Sequence, residues 1–113
     1  MLFTTLKVGT NEYKLRLTTK AMIDVENKLG ENPLNAFMRI TDGDELPKMS
    51  TMITILWGAI QALNHKITFD AVCDIYDEFI DEGNTMLDLI PILLEVFKVS
   101  GFMKADSENE EKN

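Results

Sequence analysis

The sequence predicts a mainly helical α+β domain in which an N-terminal β-hairpin packs on about five helices. Apolar residues alternate with polar ones near the N-terminus, which is typical of strands. They recur every three or four residues through the rest of the chain, which is typical of helices. A chain of 113 residues is long enough for one hydrophobic core, and we assign this core to a single domain over residues 1–103.

The first segment is predicted to be the β-hairpin. Leu6 and Val8 share one face before a Gly-Thr-Asn turn, and the alternation resumes after it at Tyr13. With Thr10-Asn11 as the turn, Val8 is expected to face Tyr13. The opposite face would be basic, and we expect it either to be solvated or to meet an acidic partner. The residues of this basic face are Lys7, Lys14 and Arg16.

Two short helices are expected next. Thr18 or Thr19 can cap the first of them, which then ends at Gly30. The second is predicted over residues 34–40, because Asn32-Pro33 provides an N-cap and a proline at the first helical position.

The middle of the chain is predicted to be a buried central helix. Residues 49–65 carry no formal charge, and their apolar side chains follow a helical stripe. A membrane span is not expected, since it needs roughly 20 mainly apolar residues and this stretch includes several polar ones.

The last two helices differ in character. The first of them is capped by Thr68, ends at Gly83 and is amphipathic. Four of its aspartates recur at helical spacing and share one face: Asp70, Asp74, Asp77 and Asp81. The final helix begins at Asn84 or Thr85 and is apolar on nearly all sides, with a kink expected at Pro91. Residues 104–113 lack an apolar anchor and are expected to be a disordered acidic tail.

The row of four aspartates is compatible with three roles. It can be a solvated face, a docking surface for a basic partner or neighbouring subunit, or a divalent metal site. A metal site is the least favoured, because a row on one helix lacks the converging loop that calcium or magnesium needs.

Composition argues against catalysis and against nucleic-acid binding. The net charge of −8 disfavours contact with phosphates. Cys73 and His65 are the only cysteine and histidine, and we interpret them as a buried thiol and a helix-end histidine. A single cysteine also excludes an internal disulfide, which suits a reducing cytoplasm. We therefore expect no enzyme activity, no cofactor and no bound metal.

The two most apolar helices point to protein contacts instead. A helix that is hydrophobic nearly all round must be buried on most sides, and a domain of this size achieves that only in part. The surplus apolar surface is expected either to complete the domain's own core or to meet a partner or second copy. The predicted contact residues on the final helix are Met86, Leu87, Ile90, Leu94 and Phe97.

Charge is also unevenly distributed. Residues 1–20 carry four basic side chains and one acidic side chain, whereas residues 21–103 are strongly acidic. A head-to-tail contact between the basic hairpin of one copy and the acidic helix of another would be heterologous. Such a contact generates rings or open spirals.

The stretch from Tyr13 to Met38, YKLRLTTKAMIDVENKLGENPLNAFM, resembles the tail assembly chaperones of long-tailed phages and prophages of Gram-positive bacteria. The resemblance continues through the apolar central helix, the acidic helix, the hydrophobic last helix and the charged tail. It implies a non-enzymatic protein of the host cytoplasm that binds and solubilises the hydrophobic, helical tape measure protein during tail assembly. The alternative is a structural phage component, such as a head-to-tail completion protein. The resemblance carries over no functional residue.

Overall fold

The structure, a computed structural model, describes residues 2–43 and 45–104. It confirms the predicted fold class, with an antiparallel β-hairpin followed by five helices. The strands are β1 (Thr4–Val8) and β2 (Asn11–Leu15), and the helices are α1 (Thr19–Leu29), α2 (Pro33–Thr41), α3 (Met49–Ile60), α4 (Phe69–Asp81) and α5 (Met86–Val99). Apart from Lys104, the predicted tail lies outside the described residues.

Helix α3 is the centre of the fold. It contacts α1, α2, α4, α5 and β2, and nine of its 12 residues are buried, which explains why it carries no charge. The predicted helix over 49–65 is too long, because α3 ends at Ile60. The backbone N–H groups of Leu63 and Asn64 both donate to the Ile60 carbonyl and close the helix in a turn. Leu63 continued the apolar stripe in the sequence, yet it is 55% exposed.

Gly58 allows α1 and α3 to approach closely. A Cβ atom at this position would overlap Cγ2 of Val25 and would lie 3.2 Å from Cδ2 of Leu17. Val25 and Leu17 belong to the core, so the only side chain that fits at this crossing is the hydrogen of glycine.

The hairpin register differs from the predicted one. The paired positions are Thr4 with Leu15, Thr5 with Lys14, Leu6 with Tyr13, Lys7 with Glu12, and Val8 with Asn11. The turn is therefore Gly9-Thr10 and not Thr10-Asn11, and Val8 faces Asn11 instead of Tyr13. Gly9 has a φ of +62°, and a glycine in the first position of a two-residue turn matches the twist of the strands. The inner face of the hairpin stays apolar and packs on α3, α4 and α5.

Three helices begin at the N-cap residues that the sequence predicted. The Thr18 hydroxyl accepts a hydrogen bond from the Ala21 N–H at 3.1 Å. Asn32 and Thr68 cap α2 and α4 in the same way. Together the strands and helices enclose one apolar core, to which every one of them contributes residues. Within the described residues, no helix combines the length and hydropathy needed to cross a membrane.

Candidate partner-binding surfaces

Helix α5 is fixed at its start and along one face. The backbone N–H of Thr85 donates to Oδ2 of Asp88 at 2.7 Å, half of a capping box that anchors the first turn. The helix continues through Pro91. Its core-facing side chains are completely buried, and they are Leu89, Leu93, Val96 and Phe97.

Beside this buried face, α5 presents an apolar flank to solvent. We define the apolar flank of α5 as Met86, Leu87, Ile90 and Leu94. Leu87 is 63% exposed, and the other three side chains are half-buried. Leu87, Ile90 and Leu94 are spaced three and four residues apart, so they form one stripe along the helix. Four of the five predicted contact residues therefore lie on one flank.

Phe97, the fifth predicted contact residue, requires a correction. Its side chain is fully buried, with its ring centroid 5.3 Å from that of Phe37 and 6.5 Å from that of Phe102. It belongs to the core and is inaccessible to a partner. On a helix that is apolar nearly all round, the sequence pattern does not separate the core face from an exposed flank.

A second apolar surface lies between the first turns of α3 and the neighbouring part of α4. It is a groove of about 210 Å³, which we call the α3–α4 groove. Met49, at its rim, is 40% exposed, while Ile53 is buried beneath it. The residues that line the groove are Met49, Ser50, Ile53, Phe69 and Cys73.

An aromatic and cationic cluster holds Phe69 in place at one end of the groove. The Trp57 and Phe69 rings meet edge to face, with centroids 6.5 Å apart. The Lys28 Nζ atom lies 4.5 Å from the Phe69 centroid and 5.6 Å from that of Trp57, a cation–π arrangement. The Trp57 Nε1–H donates to the Ile67 carbonyl at 3.3 Å. Phe69 is thus ordered before any partner arrives.

The four aspartates of α4, Asp70, Asp74, Asp77 and Asp81, form an exposed row that we call the aspartate row. No ion pair within residues 2–43 and 45–104 includes any of the four. Asp70 directly follows Phe69, and Asp74 directly follows Cys73, so the row lies about 100° around the helix from the groove lining. The groove is therefore bordered by a negatively charged ridge.

The cysteine and histidine show no sign of a nucleophilic pair. Burial of the Cys73 thiol raises its pKa, and the charges of Asp70, Asp77 and Asp74 raise it further. A thiol with a raised pKa stays protonated at neutral pH and is a poor nucleophile. His65 is exposed and lines other cavities than Cys73 does. Among the residues that the structure describes, no group of three or more His, Cys, Asp or Glu could hold a metal ion.

The predicted basic face of the hairpin is divided. Lys7 lies opposite Glu12, and its Nζ is 3.8 Å from Glu12 Oε2. A turn at Thr10-Asn11 would have placed Lys7 opposite Lys14, and the observed register corrects this consequence of the predicted turn. Lys14 instead reaches over the ring of Phe3, with Nζ 5.9 Å from the centroid.

Arg16, the third basic residue, ties the hairpin to the end of α5. Its Nη1 donates to the Val99 carbonyl at 2.9 Å and to the Leu2 carbonyl at 3.1 Å. The next backbone N–H, that of Leu17, donates to Ser100 Oγ at 2.8 Å. A cation at a helix C-terminus satisfies free carbonyls and complements the helix dipole. Arg16 therefore has a structural position and is not part of a free basic surface.

The sequence pattern did not predict the α3–α4 groove. In the sequence, Phe69 and Cys73 lie on the apolar side of α4, and Met49 and Ile53 lie on the apolar stripe of α3. The available signal was the width of the α4 stripe, since Phe69 and Cys73 extend it beyond the buried Val72, Tyr76 and Phe79.

The chain matches the model of a protein family described as a family of unknown function, DUF6096. The match extends over residues 2–113. No match to a curated protein or to a solved structure was found.

Proposed function

We propose that this chain, which belongs to the DUF6096 family of unknown function, is a non-enzymatic chaperone of phage tail assembly. Its client would be the hydrophobic, helical tape measure protein, which it would keep soluble in the cytoplasm of the bacterial host until the tail tube forms. The resemblance of residues 13–38 to tail assembly chaperones suggests this client.

The observation that carries the proposal is the apolar flank of α5. Leu87, Ile90 and Leu94 form a stripe beside the face of the helix that is packed into the core. A rigid apolar stripe can bind the apolar face of a client helix with little loss of conformational entropy in the chaperone. Burial of such side chains contributes roughly 25 cal/mol for each Å² of apolar surface removed from water.

The charge of the chain suits the same role. A net charge of −8 keeps a complex with an apolar client from associating further. The proposal assigns no catalytic residue, cofactor, metal or nucleic acid to the protein.

The proposal is tested by co-expression with the product of the next large, coiled-coil-rich reading frame of the same operon. We expect that product to be soluble only together with this chain and to be recovered with it in a pull-down. A Leu87→Lys variant should lose the client, because it places a charge within the apolar contact. The matched control is Asn27→Lys, which adds the same charge at an exposed position of α1 and should retain the client.

Two results would overturn the proposal. One is a client that stays insoluble in the presence of this chain, or that binds the wild type and Leu87→Lys equally well. The other is recovery of the chain in purified virions, which would favour the structural alternative, such as a head-to-tail completion protein.

A further inference from the structure

We propose that the α3–α4 groove and the aspartate row together bind one amphipathic helix of a partner protein. Aliphatic side chains of that helix would enter the groove, and its Lys or Arg side chains would pair with the aspartate row. The inference rests on the proposed function in one respect, namely that the helix belongs to the client. It concerns a surface different from the apolar flank of α5.

The size and lining of the groove favour a side chain over a small molecule. Its volume of about 210 Å³ is below the roughly 300–1,000 Å³ typical of small-molecule sites. Its lining is apolar apart from Ser50. Met49 and Cys73 contribute sulfur atoms, which are polarisable and adapt to aliphatic groups of different shape.

The aspartate row identifies the charge of the occupant. Asp70 and Asp81 are 11 residues apart, which corresponds to about 16 Å along α4. A partner helix beside α4 with basic residues at i, i+4, i+7 and i+11 would place one cation against each aspartate. Like charges at this spacing repel each other within the free protein by a few tenths of a kcal/mol per pair, and a basic partner removes that repulsion.

A second copy of this chain is a poor match for the row. Two copies each carry a net charge of −8, so they repel at long range. The basic side chains near the hairpin that another copy could offer have neighbours within their own chain: Arg16 donates to the Val99 carbonyl, Lys7 lies near Glu12, and Lys14 lies over the Phe3 ring. The occupant is therefore inferred to be a different, basic protein segment.

The chain contains its own probes for this groove. Cys73 is the single cysteine and lines the groove, so the rate of its alkylation reports access to the groove. Trp57 is the single tryptophan, and its ring meets that of Phe69, which lines the groove. A change in Trp57 fluorescence therefore reports that a partner has entered the groove.

The experiment uses two synthetic helical peptides of about 18 residues with identical leucine positions. One carries Lys and the other carries Glu at the four positions that would face the aspartate row. We expect the Lys peptide to slow alkylation of Cys73 by about tenfold, to shift Trp57 fluorescence and to lose affinity as salt rises from about 50 to 500 mM. The Glu peptide should leave the alkylation rate unchanged.

Variants separate the row from the groove. In Asp70→Asn/Asp74→Asn, protection by the Lys peptide should fall at least severalfold, because half of the row is neutral. A control variant on α5, Glu95→Gln, removes one negative charge away from the row and should keep full protection. Because Asp70 and Asp74 also raise the pKa of the Cys73 thiol, each variant is compared with itself with and without peptide.

Three results would overturn the inference. They are alkylation that is unaffected by saturating Lys peptide, equal protection by the Lys and Glu peptides, and protection that grows with chain concentration in the absence of peptide. The last result would identify a second copy as the occupant.

Failure of the groove and failure of the chaperone role are distinguishable. If the co-expressed client is soluble while Cys73 in the complex reacts as fast as in the free chain, the groove inference falls and the chaperone role stands. If the Lys peptide protects Cys73 but the client stays insoluble, the chaperone role falls and the groove inference stands.

Discussion

Helices α3 and α5 are both apolar on nearly all sides, yet the fold treats them differently. Nine of the 12 residues of α3 are buried, against four of the 14 residues of α5. The difference comes from their neighbours. Helix α3 is surrounded by four helices and a strand, whereas α5 packs mainly against α3 and β1. The apolar character of a helix therefore shows that its surface favours burial. The number of elements packed around it determines how much of that surface the domain itself buries.

Substitutions in the two helices should therefore have different effects. Substitutions in α3 should act on stability wherever they fall on its buried positions. Helix α5 divides into a core face and an apolar flank, so that substitutions only one turn apart should separate stability from binding.

The largest expected effect comes from shortening leucines on the two helices. Leu56 of α3 and Leu93 of α5 are fully buried, while Leu87 of α5 is 63% exposed. Leu56→Ala and Leu93→Ala should each lower the free energy of unfolding by about 2–5 kcal/mol, because both remove packed atoms and leave a cavity. Leu87→Ala should change it by less than about 0.5 kcal/mol, as expected at an exposed site. Urea unfolding followed by circular dichroism measures all three.

One result in these leucine variants would contradict the prediction. If Leu87→Ala destabilises the chain as strongly as Leu93→Ala does, the flank of α5 is packed in solution and no free apolar surface exists there. A loss of client binding by Leu87→Ala at unchanged stability would instead separate the two sides of the helix.

A somewhat smaller effect is expected at the crossing of α1 and α3. In Gly58→Ala the added methyl group would overlap Val25, so the Val25 side chain or one of the helices has to shift. We expect a loss of about 1–3 kcal/mol in the free energy of unfolding, typical of overpacking a core. Ser50→Ala, at an exposed position of the same helix, serves as the control and should stay within about 0.5 kcal/mol of wild type. Equal stability of Gly58→Ala and wild type would mean that the close approach is not rigid.

Local chemistry explains what the sequence predicted correctly. A cap depends on residues three positions apart, and Thr18, Asn32 and Thr68 start their helices as expected. The apolar alternation of the hairpin and the stripes of the helices are local in the same sense. The fold class could be predicted, and the structure confirms it, because each strand and helix is specified by a pattern of residues close together in the sequence.

What the sequence could not predict depends on contacts between distant residues. Arg16 and Val99 are 83 positions apart, and only the folded chain shows that they meet. The burial of Phe97 depends on Phe37, from another helix. The α3–α4 groove likewise requires α4 to lie beside the first turns of α3, so its lining looked like ordinary core in the sequence.

The smallest expected effect concerns Cys73 of α4, which lines the groove beside the buried helix α3. The pKa of its thiol is raised first by burial and then by the charges of Asp70, Asp77 and Asp74. Only the thiolate reacts with an alkylating reagent, so the reaction at neutral pH should be slower than for an exposed cysteine and should accelerate as pH rises. Asp70→Asn removes one of the negative charges that oppose ionisation. The pKa should then fall towards its ordinary value, and the whole rate profile should move to lower pH.

The control for this prediction is Glu95→Gln, which removes the same charge from α5 and should leave the profile in place. Alkylation rates from neutral to alkaline pH, measured by mass spectrometry, compare the variants on an absolute scale. If Asp70→Asn accelerates the reaction equally at every pH, the substitution has opened the groove and has not changed the ionisation of the thiol. A shift of the rate profile along the pH axis, at an unchanged limiting rate, would show that the aspartate row changes the electrostatic potential in the groove. That field is what a basic partner helix would meet, because the thiol samples the potential at the position where its side chains would lie.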